Sequence, residues 1–198
     1  MRFWELLLLA LVGWMAIGAI GVVISLRRGE RPRALRHLGS IVAVCAAYLV
    51  VLITASLLQP QKIVAIGQDQ CFEEMCFAVM SVEEVPGFLI QDGSRLVRVA
   101  VRVSNRGHDE THSDKPLRAY LVDAQGRRWD ESMGISGVRL TAAVPAGSSV
   151  TSEAVFKVAK DASGLVLVLT HGRWQPGTLV IGGPDSLLHR RTIVPLGR

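Results

Sequence analysis

Two pairs of side chains lie close enough in sequence to suggest chemistry, Cys71 with Cys76 and His108 with His112. The cysteines flank Phe-Glu-Glu-Met. A disulfide needs Cα atoms within about 7 Å, whereas a straight strand would hold these two about 16 Å apart. The chain must therefore turn back between them if they are bridged. Closing so small a loop contributes roughly 2 kcal/mol, so such a bridge stiffens a turn more than it holds a domain. The spacing is not the CxxC of thiol–disulfide oxidoreductases. A structural disulfide is expected, with free thiols and a redox or metal role as the alternatives. Cys45, inside an apolar run, reads as a small apolar filler.

His108-Asp-Glu-Thr-His112 is similar to the HExxH pattern of zinc proteases, with Asp in place of Glu. That chemistry needs both imidazoles on one helical face and a base that reaches the metal-bound water. Asn105-Arg-Gly107 before the pair and Ser113-Asp-Lys-Pro116 after it are turn formers, so a solvated loop is expected instead. Gly134-Ile-Ser136-Gly137 lacks the spacing of a nucleophile elbow. Gly177 to Gly182 has phosphate-loop spacing, but Gly183 and Pro184 stand where Lys and Ser or Thr are required. With no complete catalytic set, no metal-ligand set and no cofactor motif, the chain is expected not to be an enzyme. The alternative is a metal-dependent envelope hydrolase using the His108 and His112 loop.

The elements that would position these residues divide the chain sharply. Phe3 to Leu26 carries Glu5 as its only charge. From Trp4 it spans 23 residues, about 34 Å as a helix at ~1.5 Å per residue and enough for a ~30 Å hydrocarbon core. Ile41 to Leu58 adds 18 residues without a charge. Neither has a polar face, which favours spanning helices over buried core helices. A cleaved signal peptide is the other alternative for the first run, but Arg2 is countered by Glu5 and the apolar stretch exceeds the usual length. Ala10, Gly13, Ala16 and Ala19 in the first run, Gly21 with Ser25, and Ala43 with Ala47 are small residues that would let helices approach closely. No Asp, Glu, Lys or His sits mid-span, which argues against a proton relay or ion path.

Charge sets the orientation. Residues 1–58 hold six Arg and two Glu, net +4, whereas residues 59–198 carry 16 basic and 15 acidic groups. The basic character is therefore local and is not a nucleic-acid footprint, which would spread over a folded face with stacking aromatics. Arg27, Arg28, Arg31, Arg33 and Arg36 crowd the segment between the two runs, residues 27–40. The positive-inside bias places that loop in the cytoplasm and both termini outside.

After a linker at 59–62, with Pro60 stopping the helix, residues 63–198 are expected to form one extracytoplasmic domain. Val97, Val99, Val101 and Val103 alternate with Arg98, Ala100 and Arg102; Val150, Ala154, Phe156 and Val158 alternate with Thr151, Glu153 and Lys157. This period of two reads as strands with one buried face. Leu117–Val122, Cys76–Val82 and Thr178–Ile181 are weaker strand candidates, and continuously apolar Leu165–Leu169 reads as central in a sheet. Turns are expected at Gln91–Gly93, Asn105–Gly107, Asp123–Gly126 and Pro145–Gly147. Many short strands at such intervals indicate a β-sandwich.

Gly93 to Asn105, Leu121-Val-Asp-Ala-Gln-Gly126, Val144-Pro-Ala-Gly147 and Ala154-Val-Phe156-Lys-Val158 together resemble successive strands of telokin-like, immunoglobulin-fold bacterial envelope domains of unknown function. The resemblance covers roughly residues 63–169. It implies a secreted or membrane-anchored module with no established catalytic residues. The expected fold class is all-β, an immunoglobulin-like β-sandwich preceded by an α-helical transmembrane hairpin (1–58). The expected location is the bacterial cytoplasmic membrane with the sandwich outside. The expected role is binding or assembly with a protein or envelope partner, no nucleic acid and no cofactor, through the tail from His171 to Arg191 or the His108 loop.

Overall fold

The computed structural model describes residues 3–85, 93–132, 134–135, 137–171, 176–181 and 186–197. The chain forms two compact units: Met1–Pro60 with Arg173–Arg190, and Gln61–Gly172 with Arg191–Arg198. The tail expected to belong wholly to the sandwich is thus divided, its middle grouping with the helices and its end with the strands. The expected turn at Gln91–Gly93 lies largely outside the described residues.

The first unit contains α1 (Phe3–Arg27) and α2 (Arg31–Leu58). The expected loop over 27–40 is corrected to a tight connection, because α2 begins ten residues before the apolar run. Pro32 fits the first helical turn, where its missing N–H costs nothing. Arg33 pairs with Glu30 at 2.7 Å one turn back. Gly29, at φ 74, closes α1: its N–H donates to the Leu26 carbonyl, and the Glu30 N–H donates to that of Ser25. This is a Schellman ending, which favours glycine because its left-handed φ crowds any Cβ.

Both helices are long and apolar enough, by length and composition, to cross a membrane. Many of their apolar side chains are exposed, among them Leu9, Val12, Ile17, Ile20, Val42 and Val50. Gly18 is the point of closest approach, where an added Cβ would lie 2.8 Å from the Ile41 side chain. On α2 only the stripe Tyr48, Leu52 and Ser56, four residues apart, is buried in the apolar half. Ile181 from the tail packs on Tyr48 and Leu52. The Tyr48 hydroxyl donates to the Leu179 carbonyl at 2.6 Å, and the Ser56 and Ser186 hydroxyls lie 3.0 Å apart. A 3-10 turn, Pro176–Leu179, replaces the strand expected at Thr178–Ile181. Pro176 and Gly177 oppose an extended ladder, and tertiary contact with α2 decides the conformation.

The second unit is a sandwich of two antiparallel four-stranded sheets. One has the order β1 (Gln70–Phe72), β2 (Met75–Glu84), β3 (Ser94–Asn105), β6 (Ser149–Ala159). The other has β5 (Arg128–Asp130), β4 (Arg118–Val122), β7 (Val166–Thr170), β8 (Val194–Pro195). The chain crosses from one sheet to the other between β3 and β4, β5 and β6, and β6 and β7. This connectivity, with β3 beside β6 and β4 beside β7, is the Greek-key order of immunoglobulin-like domains. Neither sheet closes into a barrel.

The alternation read from the sequence holds on β3: Val97, Val99, Val101 and Val103 are buried, while Arg98, Ala100 and Arg102 are half-exposed. They meet Phe77, Val79, Ala154, Phe156 and Val158 of the same sheet and Ala119, Leu121, Leu167, Leu169 and Val194 of the facing one. β7 is an inner strand, as its unbroken apolar run requires. A bulge between Val79 and Ser81, followed by Glu83 and Glu84, bends and charges β2 where β1 no longer covers it. Such features discourage edge-to-edge pairing.

Candidate functional site

One end of the sandwich gathers nearly every residue singled out for chemistry. The β1–β2 hairpin, the 106–117 connection, the 144–148 turn and the exit of β7 meet there. Because β8 runs antiparallel to β7, Arg191 also lies toward this end. Within the sandwich unit, Val64 N–H donates to the Ile193 carbonyl and Ile193 N–H to that of Lys62, so Ile63 and Ile193 lie side by side on parallel backbone.

Cys71 and Cys76 are a directly opposed pair in the β1–β2 ladder, disulfide-bonded with Cα atoms 4.0 Å apart. The reversal demanded by the spacing is the two-residue turn Glu73-Glu74, where Glu73 adopts φ 54. Non-glycine residues rarely sit in this left-handed region, and the ladder and the bridge on either side hold it there.

Asn105, at the end of β3, is only 2% exposed and ties the surrounding loops together. Its amide nitrogen donates to the Glu110 and Val144 carbonyls, each at 2.9 Å. Its side-chain oxygen accepts from the Gly107 N–H at 2.8 Å. Its backbone N–H donates to the Ser148 carbonyl. The valine-rich strand ending in Asn-Arg-Gly hinted at this residue, but its side-chain partners lie up to 39 positions away in sequence.

His108 and His112 lie in a loop and not on a helix, so the shared face that HExxH chemistry requires is missing. His108 is exposed. His112 pairs its backbone with Val144 and turns its Nε2 to the Glu74 carboxylate at 3.1 Å. Among the described residues, no group of three or more His, Cys, Asp or Glu could hold a metal ion. Gly107 packs so tightly under Glu74 that an added Cβ would lie 2.5 Å from its carboxylate.

Sequence reading missed a second imidazole–carboxylate pair. His171 Nε2 lies 2.7 Å from the buried Asp114 carboxylate, and its ring rests 4.5 Å from that of Phe72. The two residues are 57 positions apart, so no local pattern announces them. Also missed was the arginine pair around Asp69: Arg102 at 3.3 Å and Arg106 at 2.5 Å. Arg27, Arg28, Arg31, Arg33 and Arg36, taken as topology-determining, all belong to the helical unit, at the α1–α2 turn and the first turns of α2.

The opposite end of the sandwich carries a different cluster. Asp123 accepts from the backbone N–H groups of Gln125 and Arg127 and from Arg127 Nε at 2.8 Å. Arg127 also reaches Asp161 at 2.9 Å. Burial alone would raise the Asp123 pKa, but the Arg127 and Gln125 donors and the guanidinium charge outweigh it and hold the carboxyl below its ordinary value. This geometry fits a rigid β4–β5 turn.

No protein-family model matches the chain, and no curated protein matches it. Among solved structures, it is similar to an uncharacterized β-sandwich protein from Clostridium difficile 630 at 10% identity and a TM-score of 0.45, covering 70% of this chain and 96% of that one. It is similar to the secreted protein MPT63 of Mycobacterium tuberculosis at 9% identity and 0.46, covering 69% and 98%. The YjhA protein of Bacillus subtilis gives 19% identity and 0.42, covering 68% and 99%. The fold assignment rests on this chain's own strand order and not on these distant likenesses.

Proposed function

We propose that the chain is a membrane-anchored, extracytoplasmic binding or assembly module of the bacterial envelope, with no catalytic activity of its own. The observation that carries this reading is one arrangement: two exposed apolar helices joined at an arginine-bearing turn, followed by a disulfide-bonded immunoglobulin-like sandwich. Five arginines at the turn favour its retention in the cytoplasm. A disulfide persists in an oxidising compartment, which agrees with a sandwich on the other side of the cytoplasmic membrane. The telokin-like resemblance points to the same class of envelope domain. Immunoglobulin-like sandwiches present loops and edges to partners, although fold alone never establishes a role.

The test uses the full-length chain in its native membrane, with a photo-cross-linking residue at exposed His108 or Gln125, one at each end of the sandwich. A discrete protein or envelope adduct from one position and not the other supports the reading. Absence of adducts from both, together with hydrolysis of an envelope substrate by the purified chain, would contradict it.

A further inference from the structure

The outer face of β3 carries Arg98 and Arg102 in line, and Arg106 follows just beyond the strand. Arg98 has its own acid, Glu153, at 3.7 Å. Arg102 and Arg106 share a single carboxylate, Asp69. Each guanidinium offers five N–H donors, and Asp69 engages one nitrogen of each. These three side chains together carry a net charge of +1. The two arginines line an open pocket of about 410 Å³ together with Ser104, Gly147, Ser148 and Ser149. Ser104 spends its proton on the Cys76 carbonyl. The Ser148 and Ser149 hydroxyls are exposed and have no protein partner among the described residues.

We propose that the Arg102–Arg106 pocket is an anion site for a phosphate group. Asp69 takes one N–H from each guanidinium and leaves most of their donors free. A tetrahedral phosphate has enough oxygens to take a fork from each arginine and still accept from Ser148 and Ser149. The frame is held in place independently of any ligand: Asn105 N–H bonds to the Ser148 carbonyl, and Gly147 N–H to that of Asn105. The phosphate can come from a soluble ester or a phospholipid headgroup. The headgroup source rests on the membrane-anchored reading.

The experiment follows backbone amide shifts of Ser148 and Ser149 in the full-length chain, held in nanodiscs of zwitterionic lipid. One arm titrates inorganic phosphate; the other replaces part of the lipid with phosphatidylglycerol. Saturable shifts in the first arm alone support the site and assign a soluble ligand. Saturable shifts that need phosphatidylglycerol support it and assign a headgroup. Arg102→Gln with Arg106→Gln is expected to weaken binding at least about tenfold. Asp69→Asn, which frees both guanidinium groups, is expected to tighten it about three- to tenfold. A purely structural role for Asp69 would not produce that gain. No saturable shift in either arm, or no response to any of the three substitutions, overturns the site without touching the anchored topology.

Discussion

At the scale of single residues, the sandwich depends on side chains that finish hydrogen bonding for loops that cannot finish their own. Asn105 satisfies two carbonyls and one N–H at a buried position. Asn105→Ala is expected to cost about 1–3 kcal/mol, the price of orphaned buried polar groups, and to speed amide exchange across 106–112. Exchange as slow as in the parent would show that the loop is held by something else. Asp123 leads to a pH prediction. Its folded pKa lies below its ordinary value, so its contribution is complete above the unfolded Asp value and is lost as pH falls through the folded one. Asp123→Asn should therefore be less stable than the parent at neutral pH, the two converging in acid; denaturant midpoints against pH check this. The bridged Cys71 and Cys76 should resist alkylation until a reductant is added, with Cys45 titrating separately by mass.

At the scale of elements, legibility followed how local the cause was. The β3 and β6 alternation, the inner position of β7 and the reversal between the cysteines could all be read, because each depends on neighbours within a few residues. The three-residue strands β1 and β5 and two-residue β8 could not. They exist because a longer strand lies beside them and have no pattern of their own. The start of α2 was missed because polar Arg31–Ser40 ends the apolar pattern without ending the helix. The 3-10 turn in the tail is set by α2, about 130 positions earlier. Two substitutions examine the helical unit. Gly18→Leu should separate α1 from α2, since even a Cβ there lies 2.8 Å from Ile41; loss of a Cys–Cys cross-link engineered between the helices would report it. Tyr48→Phe removes the bond to the Leu179 carbonyl, worth about 1 kcal/mol, and should make the 176–190 segment more sensitive to protease. Equal sensitivity would mean that Ile181 packing alone holds it.

At the scale of the whole molecule, the proposed topology puts a membrane between the basic connection and the oxidised sandwich. None of the site candidates was visible as a constellation, because His112 with Glu74, His171 with Asp114, and Arg102 with Arg106 around Asp69 are assembled by the fold. The orientation itself can be measured without knowing any partner. Single cysteines at Glu30, which leaves all five arginines in place, and at exposed Gln125 are introduced into a Cys45→Ala chain and treated in intact spheroplasts with a membrane-impermeant maleimide. Gln125→Cys is expected to be labelled at once and Glu30→Cys only after lysis. Labelling of Glu30→Cys from outside, with Gln125→Cys protected until lysis, would contradict the proposed topology.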